Sequence, residues 1–491
     1  MSLKLFENGT IITWDDGVQD FKILRGGSLL VEGNRVSAIW ENNTQPLDWA
    51  ADVERISIEG KILSPGLIDS HRHGWQAIFR TLAPNAHLGD YLELYGPFGE
   101  PMNHLTPDDL YWSTLEGYFE SIDSGTTTIV ENAHHNWDEQ SALAGWNASL
   151  DSGARVHWAY SIGTGRDASY DFNTQIDLFE RLHAEDRWRN TTAELGLNWE
   201  GFGTNDTAAI ETIVSLAKKL NVSAVHANHL GDPIFGNNNK PRQLLDAGIL
   251  NSAIPVLITH GTFIDDEDIA LLREHDQYVI ITPESEMQHG HGHTQQHTFL
   301  DQTSLGVDNN IFFGTSMQQQ GRLWLQTVRK TMWQEAHALG RARNTTGMEV
   351  SQAFHLITRS GGLALKRPDL GVIKVGAMAD LTVWSGESAS LLGWTDPIAA
   401  IVLHSQGSDA QHVLVDGEWR KYDGKLLSTR NGQTWETVKR EFLMRAKRVQ
   451  ALWPTLPRPY LPETERMFGS GANFISLPQV NVTREQYQKQ F

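Results

Sequence analysis

The sequence predicts an α/β protein: a TIM-type (β/α)8 barrel with a flanking β-sandwich built from both chain ends. Three observations carry this reading. Between about residue 63 and about residue 365, short β-rich runs alternate with helical stretches, the rhythm of βα units and a parallel sheet. Runs broken by Asn-Gly, Asp-Gly and Gly-Gly fill the first part of the chain, and a similar pattern returns late. Several central runs close on His or Asp, as strands do when the C-terminal mouth of a barrel carries the chemistry.

In the N-terminal part, apolar and polar positions alternate in Leu29-Leu30-Val31-Glu32-Gly33-Asn34-Arg35-Val36-Ser37-Ala38-Ile39, which predicts antiparallel hairpins. The late stretches Ala379-Asp380-Leu381-Thr382-Val383-Trp384 and His412-Val413-Leu414-Val415-Asp416-Gly417-Glu418-Trp419 read the same way. Residues 1–62 and 366–430 are therefore expected to share one sandwich domain, with the barrel over 63–365. The barrel strands are the run that ends at Ser70 and those at 126–131, 155–161, 194–199, 222–226, 255–260, 278–282 and 304–308. Together they make the eight needed for closure. Thr106 before Pro107-Asp108-Asp109 reads as a capped helix start, and Gly125 as its stop. Residues 431–491 begin helically and turn Pro-rich, a tail that wraps the surface or a neighbouring subunit.

A chain of 491 residues suggests one large catalytic domain with a smaller companion. Its net charge of −20 argues against nucleic-acid and anionic-membrane partners, which need clustered Lys and Arg. A small molecule is the expected partner; if the chain self-associates, a homodimer is the expected closed assembly. There is no cysteine, so disulfides, thiolate nucleophiles and zinc–thiolate sites are excluded, and any metal must be held by His and carboxylate. The N-terminus lacks the charged and then apolar pattern of a signal peptide, and no apolar run has bilayer length, so a cytoplasmic location is expected.

The run Leu63-Ser64-Pro65-Gly66-Leu67-Ile68-Asp69-Ser70-His71-Arg72-His73 ends on two imidazoles at i and i+2, which lie on one side of a strand and can share a cation. His226, His260 and Asp308 close three further apolar runs. Barrel strand ends converge, so His71, His73, His226 and Asp308 are the candidate metal shell, with His260 within reach of a coordinated water. A divalent cation lowers the pKa of such a water from ~15.7 towards ~7. Asp308 can accept the water proton and return it to a leaving group, while His260 donates to the developing oxyanion or orients the attacking water.

Substrate contacts are expected from three loops. Asn132-Ala133-His134-His135-Asn136-Trp137 follows the second strand, with His135 as the candidate. The stretch from Thr282 to His293 offers Glu284, Glu286 and His289; its alternating His and Gly also suit a second metal site or a solvated loop. The segment 74–105, with Trp75, Gln76, Phe79, Tyr91, Tyr95 and Phe98, is unusually aromatic for a connector and suits a lid over a planar substrate, or packing against the sandwich or a dimer mate. Gln76 is its polar candidate.

These motifs resemble those of the metal-dependent amidohydrolase superfamily, in its cytosine deaminase and triazine hydrolase-like branch. Pro65-Gly66-Leu67-Ile68-Asp69-Ser70-His71-Arg72-His73 matches the opening motif, Gly125-Thr126-Thr127-Thr128-Ile129-Val130 the second-strand motif, and the segment from Leu370 to Leu381 the return to the sandwich. The resemblance implies a mononuclear site with His71, His73, His226 and Asp308 as ligands, since no lysine closes Glu194-Leu195-Gly196-Leu197-Asn198-Trp199-Glu200 to bridge a second ion. Zinc is the expected ion, with iron(II) or manganese(II) as alternatives on ligand type.

The implied reaction is hydrolysis of a C–N bond in a nitrogen heterocycle or cyclic amide. One departure stands out. Deaminases of this branch carry a glutamate three residues after the fifth-strand histidine, whereas this chain reads His226-Ala227-Asn228-His229, leaving His229 as a substitute acid or a chemistry that needs none. The rival expectations are a lyase or decarboxylase on the same metal, and a metal-free binding protein that keeps only the barrel.

Overall fold

The computed structural model describes residues 2–42, 44, 53–236, 239–291, 296–466 and 471–482. Strands β1 (Leu3–Asp15), β2 (Asp20–Glu32), β3 (Arg35–Trp40), β4 (Val53–Ser57) and β5 (Ile62–Pro65) open the chain. The central strands are β6 (Leu67–Arg72), β7 (Thr126–Ala133), β8 (Arg155–Ile162), β9 (Ala193–Trp199), β10 (Val225–His229), β11 (Val256–His260), β12 (Tyr278–Ile281) and β13 (Thr303–Leu305). Strands β14 (Leu381–Trp384), β15 (Ala410–Val415), β16 (Glu418–Tyr422) and β17 (Lys425–Leu426) follow.

Both chain ends merge in one nine-stranded sheet of order β17-β16-β15-β14-β5-β1-β2-β3, with β4 also paired to β1. The long hairpin β1–β2 carries register shifts between Phe6 and Gly9 and between Gly9 and Ile11, which bend the sheet over its own core of Phe6, Leu29, Val31, Ile58, Leu63 and Leu414. Arg155, at the start of β8, anchors this sheet to the barrel. Its guanidinium grips Asp380 through Nε (2.7 Å) and Nη2 (3.1 Å) and reaches Asp416 at 3.0 Å. Such fork-to-carboxylate pairs fix orientation as well as contact.

Strands β6 to β13 pair in sequence order, all parallel. Every residue of β6, β7, β11 and β12 is buried, as expected where helices cover one face and the barrel interior the other. Closure comes from the segment after β13. The main-chain N–H groups of Val307 (3.1 Å) and Asp308 (2.8 Å) donate to His71 O, and His73 N donates to Asp308 O at 2.6 Å. The buried Asp69 carboxylate reinforces the seam by accepting from Val307 N at 2.9 Å and His71 N at 3.3 Å.

Two strands sit differently from the sequence expectation. The fifth begins at Val225 rather than 222, because Asn221 takes the left-handed cap of the helix Thr207–Leu220 and Val222 N folds back to Ala217 O. His226 is thus the second residue of its strand. The eighth ends at Leu305, and Asp308 lies beyond it in a left-handed conformation (φ 73°) that no strand accommodates.

Thr106 caps the helix Pro107–Asp123: its Oγ1 accepts from Asp109 N at 3.3 Å while the Asp109 carboxylate accepts from Thr106 N at 2.8 Å. The aromatic segment after β6 folds into the short helices Gly74–Phe79, Leu88–Leu94 and Glu100–His104. The tail covers it. Helix Trp435–Leu452 lies against Pro107–Asp123, and Trp453 packs on Phe79 (ring centroids 4.6 Å) while its Nε1–H donates to Leu94 O at 2.9 Å. Among the described residues, no helix is long and apolar enough to cross a membrane.

Candidate metal centre

His71, His73 and Asp308 meet at the C-terminal mouth of the barrel, with one ligand atom from each lying within 4.8 Å of the others. His71 Nε2 is 3.5 Å and His73 Nε2 3.1 Å from Asp308 Oδ1. His73 Nδ1–H donates to Asn132 O at 2.8 Å, so its Nε2 lone pair faces the cluster. Burial drives His71 down to about 3 and His226 well below the ordinary histidine range, leaving both imidazoles neutral and able to ligate. Burial pushes the Asp308 carboxyl up, but the His71 and His73 imidazoles beside it outweigh burial and hold the group well below the usual carboxylate range. The fully buried His71 Nε2 has no hydrogen-bond partner, a costly state that a cation relieves. The donor set and this orphaned nitrogen fit a divalent ion.

His226 adjoins the cluster through His71. Its ring stacks on His71 at 4.8 Å, and its Nε2 lies 3.0 Å from His71 Nδ1 and 3.0 Å from Thr259 Oγ1. Asp308 is fixed further by Ser285, whose hydroxyl donates to Oδ2.

A cavity of about 120 Å³ opens on this cluster. His73, His260, His289 and Asp308 line it at the metal end, and Leu88, Tyr91, Leu92, Pro97, Phe98 and Leu230 form an apolar rim. The segment read as a lid thus supplies most of that rim. His260 has a left-handed backbone (φ 69°), and its Nδ1–H donates to Glu286 Oε1 at 3.3 Å, leaving Nε2 for the cavity. A larger cavity of about 430 Å³ opens at the opposite ends of β8 and β9, lined by His157, Glu194 and Arg367 among others, away from the cluster.

The remaining candidates are placed as follows. Gln76 stands behind Tyr91, donating to its hydroxyl at 3.0 Å and to Tyr95 O at 2.9 Å. His135 packs against Gly145, where an added Cβ would lie 2.2 Å from its Nε2, and does not line the cavity. Its neighbour His134 does, stacked on His73 with centroids 3.7 Å apart. Glu284 is held by Gln319 (3.2 Å) and Gln320 (3.0 Å), and Glu286 backs His260. His229 is fully buried but outside the cavity lining, close to Gly231, and its carbonyl accepts from Thr262 N. Residues 292–295 of the His/Gly-rich loop lie outside the described residues; His291, just before them, lines the cavity.

Sequence reasoning passed over Glu200, which also lines the cavity. Its signal was present: Glu200 closes the apolar run of β9 as His260 closes that of β11.

The Amidohydrolase family model matches residues 62–420. The chain is 25% identical over 432 residues to the 5-methylthioadenosine/S-adenosylhomocysteine deaminase of Thermococcus sibiricus, covering 84% of this chain and 93% of that protein. Its fold superposes on an adenosine deaminase from Xanthomonas campestris with bound zinc at a TM-score of 0.75, with 17% identity over 91% of this chain and 99% of that one. It also superposes on zinc-bound atrazine chlorohydrolase from Arthrobacter aurescens at 0.74, with 18% identity over 90% and 100% of the two chains.

Proposed function

This chain belongs to the Amidohydrolase family, and on that premise we propose that it is a metal-dependent hydrolase acting on a C–N bond of a small nitrogen heterocycle. The observation that carries the reading is the buried cluster His71, His73 and Asp308 at the floor of an apolar-rimmed cavity. His226, stacked on His71, is the fourth ligand we assign. Zinc is the ion we favour, on the cysteine-free nitrogen and oxygen donors and on the zinc held by two structures of the same fold. When bound, it would supply the Lewis acidity that makes water a nucleophile near neutral pH.

The chain's own residues do the rest. Asp308, kept ionised, takes the water proton and delivers it to the leaving nitrogen. His260, its Nδ1–H held by Glu286, turns the Nε2 lone pair to the cavity, where it accepts from the attacking water and orients it. His134 and Tyr91 give the site flat faces for a planar ring, and Phe98 and Leu230 shed water from it.

Metal analysis combined with an ammonia-release screen over aminopurines, aminopyrimidines and aminotriazines tests the reading. About one zinc per chain is expected, with turnover lost on chelation and restored by zinc. A protein that holds no metal and converts none of these compounds is not the enzyme proposed.

A further inference from the structure

We propose that Glu200 is the second catalytic carboxyl group, a proton donor to a ring nitrogen of the substrate; this rests on the hydrolase reading above. The argument starts from proton demand. Adding water to a ring carbon places negative charge on the adjacent ring nitrogen, which needs a proton as the C–O bond forms. Asp308 is then occupied with the proton of the attacking water. Among the described residues, Glu200 and Asp308 are the two carboxyl groups that line the cavity.

The surroundings of Glu200 suit an acid. Its oxygens accept from Asn228 N and Asn228 Nδ2, both at 3.0 Å, and from Asn239 Nδ2 at 3.0 Å. All three donors are neutral amides. No Lys, Arg or His stands within ion-pair distance of Glu200 among the described residues, in contrast to Asp308 with its two imidazoles. Burial raises the Glu200 carboxyl to about 7, against the weaker opposing pull of its amide donors and of His260. Two carboxyl groups in one cavity, one among neutral amides and the other beside two imidazoles, is an arrangement that can divide acid from base.

Position supports the assignment. In the β9–β10 ladder Leu197 pairs with Val225 and Asn198 with His226, so Glu200 continues the register opposite Asn228. Asn228 is two residues from His226 and shares its side of the strand, whereas His229 alternates to the other side and stays out of the cavity. The strand that carries His226 thus contributes an amide, and its neighbour contributes the acid. Asn239 completes the cradle: its Nδ2 also reaches Asn228 O at 2.8 Å, and its Oδ1 accepts from Phe202 N at 3.1 Å.

The protons balance for an amino-substituted ring. Water gives one proton to Asp308 as its oxygen bonds to carbon, and Glu200 gives its own to the ring nitrogen. On collapse, the C–N bond to the amino group breaks and Asp308 hands its proton to that nitrogen, releasing ammonia. The hydroxyl proton of the addition product returns to Glu200, the carbonyl forms, and both carboxyl groups regain their starting states.

Two measurements on the zinc-loaded protein test the proposal. The first is equilibrium binding of purine, which offers ring nitrogens and no leaving group, to wild type, Glu200→Gln and Glu200→Ala. Glu200→Ala is expected to bind at least about tenfold more weakly, with the isosteric Gln variant close to wild type, in keeping with the worth of one buried hydrogen bond. Equal binding by Glu200→Ala, or no binding by wild type, overturns the proposal. The second is ammonia release from the best aminoheterocycle, where Glu200→Gln is expected to lower kcat by about 10²–10⁴ with little change in KM or zinc content. A Gln variant within threefold of wild type overturns the acid role. Purine binding that depends on Glu200 in a protein that releases no ammonia keeps the recognition and sinks the hydrolase reading instead.

Discussion

His73 and Asp308 are joined twice. The main-chain N–H of His73 donates to the carbonyl of Asp308 at 2.6 Å, and His73 Nε2 lies 3.1 Å from Asp308 Oδ1. The first contact closes the barrel and the second belongs to the candidate metal cluster, so barrel closure and site geometry are one property. This matters because a misplacement of about 1 Å at a reacting centre costs about 10² in rate.

Asp308→Asn tests the division of labour at this junction. The closing bonds are main-chain and survive the substitution, but the proton acceptor is lost. We expect kcat to fall by about 10²–10⁴ while the thermal midpoint stays near that of wild type. Steady-state kinetics alongside a melting curve read both, and a wild-type rate removes Asp308 from the mechanism.

Glu286→Gln probes the orientation of His260. The carboxylate accepts from His260 Nδ1 at 3.3 Å and from Thr282 N at 3.0 Å, fixing both ring and tautomer. An amide can present its N–H to that nitrogen and allow the wrong tautomer. A drop in kcat of about 10- to 100-fold is expected, with zinc content unchanged, since His260 is outside the ligand set. Unchanged kcat across the pH range would show that the pair does not orient the reaction.

His135 predicts a pH dependence of stability. Burial lowers its pKa to about 3, against about 6.5 in an unfolded chain. Between these values the unfolded state binds the proton and the folded state does not, so this residue removes stability as pH falls below 6.5 towards 3. Asp69 and Glu131, raised by burial to about 7 and about 8, act in the opposite sense, so a difference measurement is needed. The stability of wild type relative to His135→Gln should decline by about 1.4 kcal/mol per pH unit on acidification from pH 6.5, measured by urea unfolding. A flat difference over that range means His135 is protonated in the folded protein.

Trp453→Ala tests whether the tail buttresses the cavity rim. The indole is 4% exposed and bonded to Leu94 O, the last residue of the helix that carries Tyr91. Removing it should cost about 3–5 kcal/mol and raise KM more than it lowers kcat. Trp453→Phe keeps most of the packing and should cost about 1 kcal/mol for the lost hydrogen bond. An unaltered urea midpoint in the Ala variant would show that the tail only decorates the surface.

Periodicity made the barrel legible because a parallel strand buried on both faces reads as a short apolar run, and β6, β7 and β11 are such runs. The His-x-His pair was legible because its spacing of two places both rings on one side of β6. Loop side chains were harder. His134 and His135 are adjacent with the same chemistry, and only the turn after β7 sends the first to His73 and the second to Gly145. Glu286 carries the charge expected of a substrate contact, yet the helix Pro283–His289 aims it at the back of His260.

By itself, the sequence determined the eight-stranded order, the shared sheet of the two chain ends and the residue types gathered at the mouth, because patterns of burial and strand endings are local and repeat along the chain. The tertiary structure alone decided that His226 adjoins the cluster through His71, that His229 leaves the cavity and that Glu200 enters it from the neighbouring strand. Those outcomes depend on strand register and on where each strand stops, and a shift of one residue turns a side chain to the opposite face.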